Sequence, residues 1–143
     1  MTAREYLKQA VLMDATIGRK IDRLGDLDAQ LTRSTAVLSM TPGAGHNDRL
    51  FEERMARFLA LREEINRDID RLVDLKEEIH RVIDALPEEK YRYVLEEHYL
   101  NRISFGQIAD VLGYHPRSVK KIEERAIRLL KIPSEGTKGH RKA

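Results

Sequence analysis

Four side chains near the C-terminal end have the chemistry to contact the edges of nucleic-acid bases. Arg117, Ser118, Lys120 and Lys121 follow Pro116 closely, at the start of a segment with a helical pattern. Arginine donates two parallel hydrogen bonds to a guanine edge, whereas lysine donates from a single charged group. These four residues are the predicted base-reading set, provided that the segment forms a helix that enters the major groove of DNA.

Four further residues form a predicted phosphate-binding set. Arg102 and Ser104 precede one helical segment, and Arg125 and Arg128 lie one and two turns after the base-reading residues. Phosphate contacts position a protein on a duplex without reading its sequence. Residues 115–143 carry nine Lys and Arg against three Asp and Glu, whereas the preceding residues carry 17 against 21. A basic end on an acidic body indicates a polyanionic partner.

The sequence contains no evident catalytic or metal-binding set. It has no Cys, which excludes a disulfide framework, a thiol nucleophile and a Cys-based zinc site. Glu77 and His80 have the Glu-x-x-His spacing of di-iron helical bundles, but such a site needs a second copy and two more carboxylates. We therefore expect neither an enzyme, nor a metal site, nor a cofactor.

Strong helix-end signals flank the segment that must position these donors. Ser104 and Gln107 have the spacing of a capping box at the start of a helix over residues 105–112. Gly113 follows as a left-handed C-cap, and Pro116 then opens a last helix that extends to about residue 130. The pattern predicts two helices joined by a turn of three residues.

Residue sizes along this segment are typical of a helix-turn-helix. Counted from Phe105, the fifth residue is the small Ala109 and the ninth is Gly113, at the turn. The fifteenth and eighteenth are Val119 and Ile122, which would form the buried face of the second helix. A helix-turn-helix needs these sizes because its helices cross closely over a short turn. The rest of the buried face is predicted at Ala126 and Leu129.

Residues 86–132 resemble region 4 of bacterial sigma factors. The similarity lies in residues 86–89 (LPEE), 107–113 (QIADVLG) and 118–123 (SVKKIE), followed by Ala126. Over its whole length the chain resembles small phage and prophage regulators, which are relatives of late-gene activators of the RinA and ArpU type. The resemblance implies transcription control in a bacterial cytoplasm, without the promoter-melting regions of a complete sigma factor.

On matching positions, the resemblance places Pro116, Arg117, Ser118, Lys120 and Lys121 where sigma factors read the upstream promoter element. Pro116 departs from the family, which usually has a polar or basic residue there, and Ser118 replaces a common Arg. The resemblance therefore implies a mode of binding and leaves the target sequence open.

The N-terminal half is predicted to form a long antiparallel helical hairpin, in the manner of a coiled coil. Its apolar residues recur at alternating steps of three and four along two seams, which run from Ala3 to Leu38 and from Phe51 to Leu86. Between the seams, residues 39–48 include the Pro, Gly and Asn of a loop, with Asp48 as the predicted N-cap of the second helix.

Charged residues interrupt the two seams at complementary positions. Asp14 would face Lys76, and Asp28 would face Arg62, because the residue numbers of each pair add to the same value in one antiparallel register. The same register places Ile21 opposite Ile69. We predict two ion pairs between the helices, whose effect is on register more than on stability.

The sequence thus predicts an all-α protein with three parts. These are a hairpin over residues 1–86, a sigma region 4-like helix-turn-helix domain over residues 87–132, and a flexible basic tail over residues 133–143. The predicted partners are double-stranded DNA, RNA polymerase and further copies of the chain, with a dimer favoured. The second seam is wider than one packing partner needs, so it would pack against either the C-terminal domain or a second copy of the chain, and we favour the second copy. We expect no membrane association, since no apolar run approaches the length of a membrane span.

Two alternatives remain open at this stage. A small terminase subunit of a phage also joins a helix-turn-helix to a helical oligomerisation hairpin. In the other alternative, the helix-turn-helix is a protein-interaction module, since sigma region 4 also contacts polymerase.

Overall fold

The computed structural model describes residues 1–40 and 45–133, and every regular element in these ranges is helical. The all-α prediction is confirmed. The elements in chain order are α1 (Ala3–Met40), α2 (Gly45–Asp84), α3 (Glu89–Leu95), a π-helical turn (Glu96–Leu100), α4 (Phe105–Leu112) and α5 (Pro116–Leu129).

Along the chain, α1 ends later and α2 begins earlier than the predicted loop over residues 39–48 implied. α1 reaches Met40 and α2 begins at Gly45, so Asp48 lies inside the first turn of α2 and does not precede it. A carboxylate in the first turn is favoured by the partial positive charge of the helix N-terminus. The rest of the predicted loop, residues 41–44, and the predicted tail from residue 134 onward lie outside the described residues.

The chain divides into two compact units. The two-helix unit is Met13–Leu72, and the multi-helix unit contains Met1–Leu12 and the described residues from Val73 onward. The ends of α1 and α2 therefore group with the short helices, although the sequence suggested a boundary at residue 86. Apolar side chains explain this grouping, because Leu7 near the start of α1 and Ile83 near the end of α2 are fully buried.

In the two-helix unit, α1 and α2 run antiparallel. Lys20 of α1 contacts Asp68 of α2 at 2.6 Å, and Arg54 of α2 donates to Ser34 of α1 at 2.6 Å. Later residues of α1 thus meet earlier residues of α2. The buried apolar residues of this unit are Ile17, Leu31, Leu61, Ile65 and Leu72.

Ile21 and Ile69 are apolar residues of the predicted seams that are exposed in this unit. Ile21 is 49% exposed and Ile69 is 38% exposed, which contradicts their inward placement. Two helices bury only a narrow stripe of each surface, so residues at the margin of the seam stay in contact with solvent. Asp28 and Arg62 are also exposed, and the Asp28–Arg62 and Asp14–Lys76 ion pairs stay predictions.

The core of the multi-helix unit lies where α3, α4 and α5 meet. Its central cluster consists of Val94, Ile108, Ala109, Val119 and Ile122, surrounded by partly buried apolar and aromatic side chains. Of the predicted residues at Ala126 and Leu129, the first is fully buried, whereas Leu129 is 50% exposed. Leu130 is buried instead, because the helix ends at Leu129 and the backbone of Leu130 is extended.

Candidate nucleic-acid interface

The start and end of α4 follow the local signals of the sequence. The Ser104 hydroxyl accepts a hydrogen bond from the Gln107 amide at 3.2 Å, and the Gln107 side chain accepts one from the Ser104 amide at 3.4 Å. This reciprocal pair is the predicted capping box. Gly113 ends the helix with a φ of 72°, a left-handed conformation that favours glycine. Both helix-end predictions are confirmed.

The start of α5 has a cap that the sequence analysis missed. Pro116 is the first helical residue, as predicted, and His115 is the N-cap. The ring Nδ1 of His115 accepts a hydrogen bond from the Arg117 amide at 3.1 Å. This contact satisfies one of the first-turn amides that would otherwise have no partner. It requires His115 to carry its ring proton on Nε2, so the neutral imidazole is the capping form.

The exposed surface of α5 carries all four residues of the predicted base-reading set. Arg117, Ser118, Lys120 and Lys121 are exposed, whereas Val119 between them is fully buried. Successive helical residues differ by about 100° around the axis. Arg117 and Lys121 therefore lie opposite the buried face, and Ser118 and Lys120 lie on its two flanks.

The predicted phosphate-binding residues divide into two groups. Arg125 and Arg128 are exposed on later turns of α5. Arg102 is exposed between the π-helical turn and α4, with a φ of 58° that is uncommon for a residue with a side chain. Ser104 is at the start of α4, where its oxygen already serves the capping box.

A buried carboxylate in α5 was not predicted as a functional residue. Glu123 is 2% exposed, and it accepts hydrogen bonds from the Tyr99 hydroxyl at 2.5 Å and from Nη2 of Arg4 at 2.9 and 3.2 Å. Burial, together with the bond to Glu123, raises the pKa of Tyr99 to about 12, so the phenol remains a donor at neutral pH. The signal was present in the sequence, since Glu123 occupies the same helical face as Val119 and Ala126.

Tyr99, which donates to this carboxylate, lies in the π-helical turn. Tyr99 and the next residue, Leu100, are both buried at 3% exposure. The wider π turn inserts one residue into the helical repeat, and such turns recur at functional sites. Asn101 donates from its amide back to the Glu96 carbonyl, which closes the turn at 3.1 Å.

Residues 43–131 of the chain match a family described as proteins of unknown function, DUF1492. The match covers more than half of the 143 residues. The chain belongs to the DUF1492 family. No curated protein and no solved structure matches it. The family description states no activity, so a function for this DUF1492 protein has to be argued from its surface chemistry.

The Glu77-x-x-His80 pair of this DUF1492 protein does not converge with further ligands. His80 Nδ1 lies 2.8 Å from a Glu96 carboxylate oxygen, and Glu77 is exposed. Across residues 1–40 and 45–133, no group of three or more His, Cys, Asp or Glu side chains is placed to hold a metal ion. In the same part of the chain, no helix combines the length and apolarity needed to cross a membrane.

Proposed function

We propose that the protein is a sequence-specific regulator of transcription that binds double-stranded DNA, with α5 as the helix that enters the major groove. The observation that carries the proposal is the surface of α5. Arg117 and Lys121 lie opposite the buried Val119 and Ala126, so both cations face outward from a helix whose other side is held by a core.

The arrangement of α4 and α5 supports interpreting them as a helix-turn-helix. Three residues separate the helices, and the turn begins with the left-handed Gly113. Ala109 and Val119 are both buried in the cluster between the helices, which agrees with the small residue and the apolar residue that a close crossing needs.

Each predicted residue has a distinct role in this proposal. Arg117 binds a guanine edge with two hydrogen bonds, and Lys121 contacts a base edge from the next turn. Ser118 and Lys120 contact bases at the flanks of α5. Phosphate is held by Arg102, Arg125 and Arg128. Ser104 donates its hydroxyl hydrogen to Gln107 Oε1 at 3.3 Å, and this hydrogen would turn to a phosphate oxygen in the complex.

The wider setting follows from the sequence resemblance to sigma region 4 and to phage regulators. We propose a phage-type regulator in the cytoplasm of a bacterial host, with RNA polymerase as a second partner and with no catalytic activity. Exposed apolar residues in the two-helix unit, such as Ile21, Leu59 and Ile69, support self-association because apolar surface of this kind is buried at protein interfaces.

Selection from a randomised duplex library, followed by fluorescence anisotropy with the full chain, tests this proposal. Arg117→Ala should weaken binding to the selected sequence by about 1–3 kcal/mol and relax its specificity. Arg128→Ala should weaken all sequences by similar factors. Lys90→Ala is the matched control, because Lys90 is an exposed lysine on α3. Unchanged affinity in Arg117→Ala, Lys121→Ala and Arg128→Ala would overturn the proposal.

A DNA-packaging role as a small terminase subunit is the second candidate. The same exposed apolar residues of the two-helix unit favour it, since they provide surface for assembly into a closed ring. Light scattering separates the candidates, because a ring of many copies favours packaging, whereas a dimer or a monomer favours the regulator. If the protein binds RNA polymerase but has no affinity for DNA, the helix-turn-helix is a protein-interaction module instead.

A further inference from the structure

An open groove of about 560 Å³ lies beside α5 within the multi-helix unit. The first turns of α1 contribute Arg4 and Lys8 to its lining, and α5 contributes Lys120 and Arg128. The sequence pattern places the start of α1 in the hairpin, with no part in the interface. The first turns of α1 and the exposed flank of α5, the proposed DNA-reading helix, therefore line the same groove.

The charge of this groove is positive. Four cationic side chains line it against two carboxylates, and one of these, Glu123, is already bound by Arg4. Within the described ranges, no ion pair involves Lys8, Lys120 or Arg128. These three cations of the groove are thus available for an anionic partner.

We propose that the first two turns of α1 belong to the DNA-binding surface, where Lys8 and Arg4 hold backbone phosphates of the same duplex that α5 reads. This inference rests on the proposed function. It is based on the fact that the groove is continuous with the exposed surface of α5. Lys120 and Arg128 belong to both. A phosphate strand that follows α5 along this flank reaches the cations of α1.

Arg4 has two roles in this arrangement. Both of its bonds to Glu123 are made by Nη2, and its side chain is 44% exposed. A guanidinium has five N–H donors, so Arg4 compensates the buried carboxylate and still presents donors to solvent. Lys8 has no such structural bond, which makes it the cleaner position for a test.

The salt dependence of binding to a nonspecific duplex measures phosphate contacts directly. The slope of log affinity against log salt should become shallower by about 0.9 in Lys8→Ala, with affinity on the order of tenfold lower at about 50 mM salt. Lys90→Ala removes an equal charge from an exposed position on α3, outside the groove, and should leave the slope unchanged. This control separates a local contact from a change in net charge.

The pattern across variants distinguishes the two proposals. If Lys8→Ala behaves like Lys90→Ala while Arg128→Ala loses slope, the inference about α1 is overturned and the proposed function stands. If Lys8→Ala, Arg117→Ala and Arg128→Ala all retain the original affinity and slope, both are overturned.

Arg4 needs a variant that does not leave a buried charge without its partner. Arg4→Met in a Glu123→Gln background removes the cation together with the carboxylate, and Glu123→Gln alone is its reference. The slope of log affinity against log salt should be shallower by about 0.9 in the double variant than in Glu123→Gln alone. Circular dichroism verifies that both chains are folded. An equal slope in the two chains would overturn the phosphate role of Arg4.

Discussion

The two units of the molecule bury their apolar residues to different degrees. In the multi-helix unit, Ile79, Ile83 and Val119 are completely buried, whereas Ile17 and Leu61 of the two-helix unit retain 5% and 9% exposure. A side chain between two helices is covered from few directions, while one among several helices is enclosed. The comparison indicates that the completely enclosed side chains lie in the multi-helix unit, with Val119 of α5 among them.

This difference suits the functions that we propose for the two regions. A recognition helix must hold its side chains in one geometry, which a close-packed core beneath it provides. A pair of helices with exposed Ile21 and Ile69 retains apolar surface for contacts with another chain. Removing a side chain should therefore cost most where the side chain is completely buried.

The largest effect is expected from removing a buried isoleucine of the multi-helix unit. Ile108→Ala should destabilise the protein by about 2–5 kcal/mol, because the site is enclosed and leaves a cavity. Ile69→Ala makes the same chemical change at an exposed position and should cost less than about 1 kcal/mol. Urea denaturation followed by circular dichroism measures both. Equal losses would contradict the difference in burial between these two positions.

A smaller effect is expected from the charged contacts. Arg4→Ala should cost about 1–3 kcal/mol, because it leaves the buried Glu123 with Tyr99 as its remaining hydrogen-bond donor. Lys20→Ala removes two partly exposed salt bridges, to Glu64 and Asp68, and should cost less than Arg4→Ala, because solvent screens such pairs.

A double-mutant cycle checks the explanation for Arg4. Glu123→Gln should recover part of the loss caused by Arg4→Ala, since it removes the uncompensated charge. Additive losses in the double variant would show that the two residues do not stabilise each other.

Glycine substitutions should have opposite signs in the two units. Gly113→Ala should destabilise by about 1 kcal/mol, because a φ of 72° is strained for alanine. Gly25→Ala, within α1 and with nothing within 4 Å of an added Cβ, should stabilise by about 0.5–1 kcal/mol. Thermal melts of both variants measure the signs. A loss of stability in Gly25→Ala would contradict the simple helical environment inferred there.

The smallest effect is expected from pH in the two-helix unit. The hydrogen bond from Lys20 lowers the pKa of Asp68, so this contact stabilises the fold above the unfolded value of about 4. The stabilisation is lost as the pH falls through the lower pKa of the folded state. Asp68→Asn should therefore flatten the dependence of stability on pH below about pH 4. The free energy of unfolding can be measured by urea denaturation over a pH series. If its decrease at low pH is the same in Asp68→Asn, Asp68 does not contribute to the pH dependence of stability.

The local structure around the candidate interface was predictable from neighbouring residues. The capping box of Ser104 and Gln107, the left-handed Gly113 and the helix start at Pro116 each depend on residues within a few positions. The buried face at Val119 was predictable for the same reason, since helical periodicity relates residues three and four apart. The prediction that Leu129 is buried was wrong. The helix ends at this residue, and the next residue, Leu130, has an extended backbone and is buried in its place.

By itself, the sequence determined that the chain is helical, where α4 and α5 begin, and which face of α5 is buried. Only the tertiary structure decided that Arg4 meets Glu123 across 119 positions, and that the start of α1 lines the groove beside α5. Hydrogen bonds and periodicity within a helix are set by residues a few positions apart, and those are visible in one sequence. A contact between distant segments depends on how several helices pack together, and no local pattern specifies that packing.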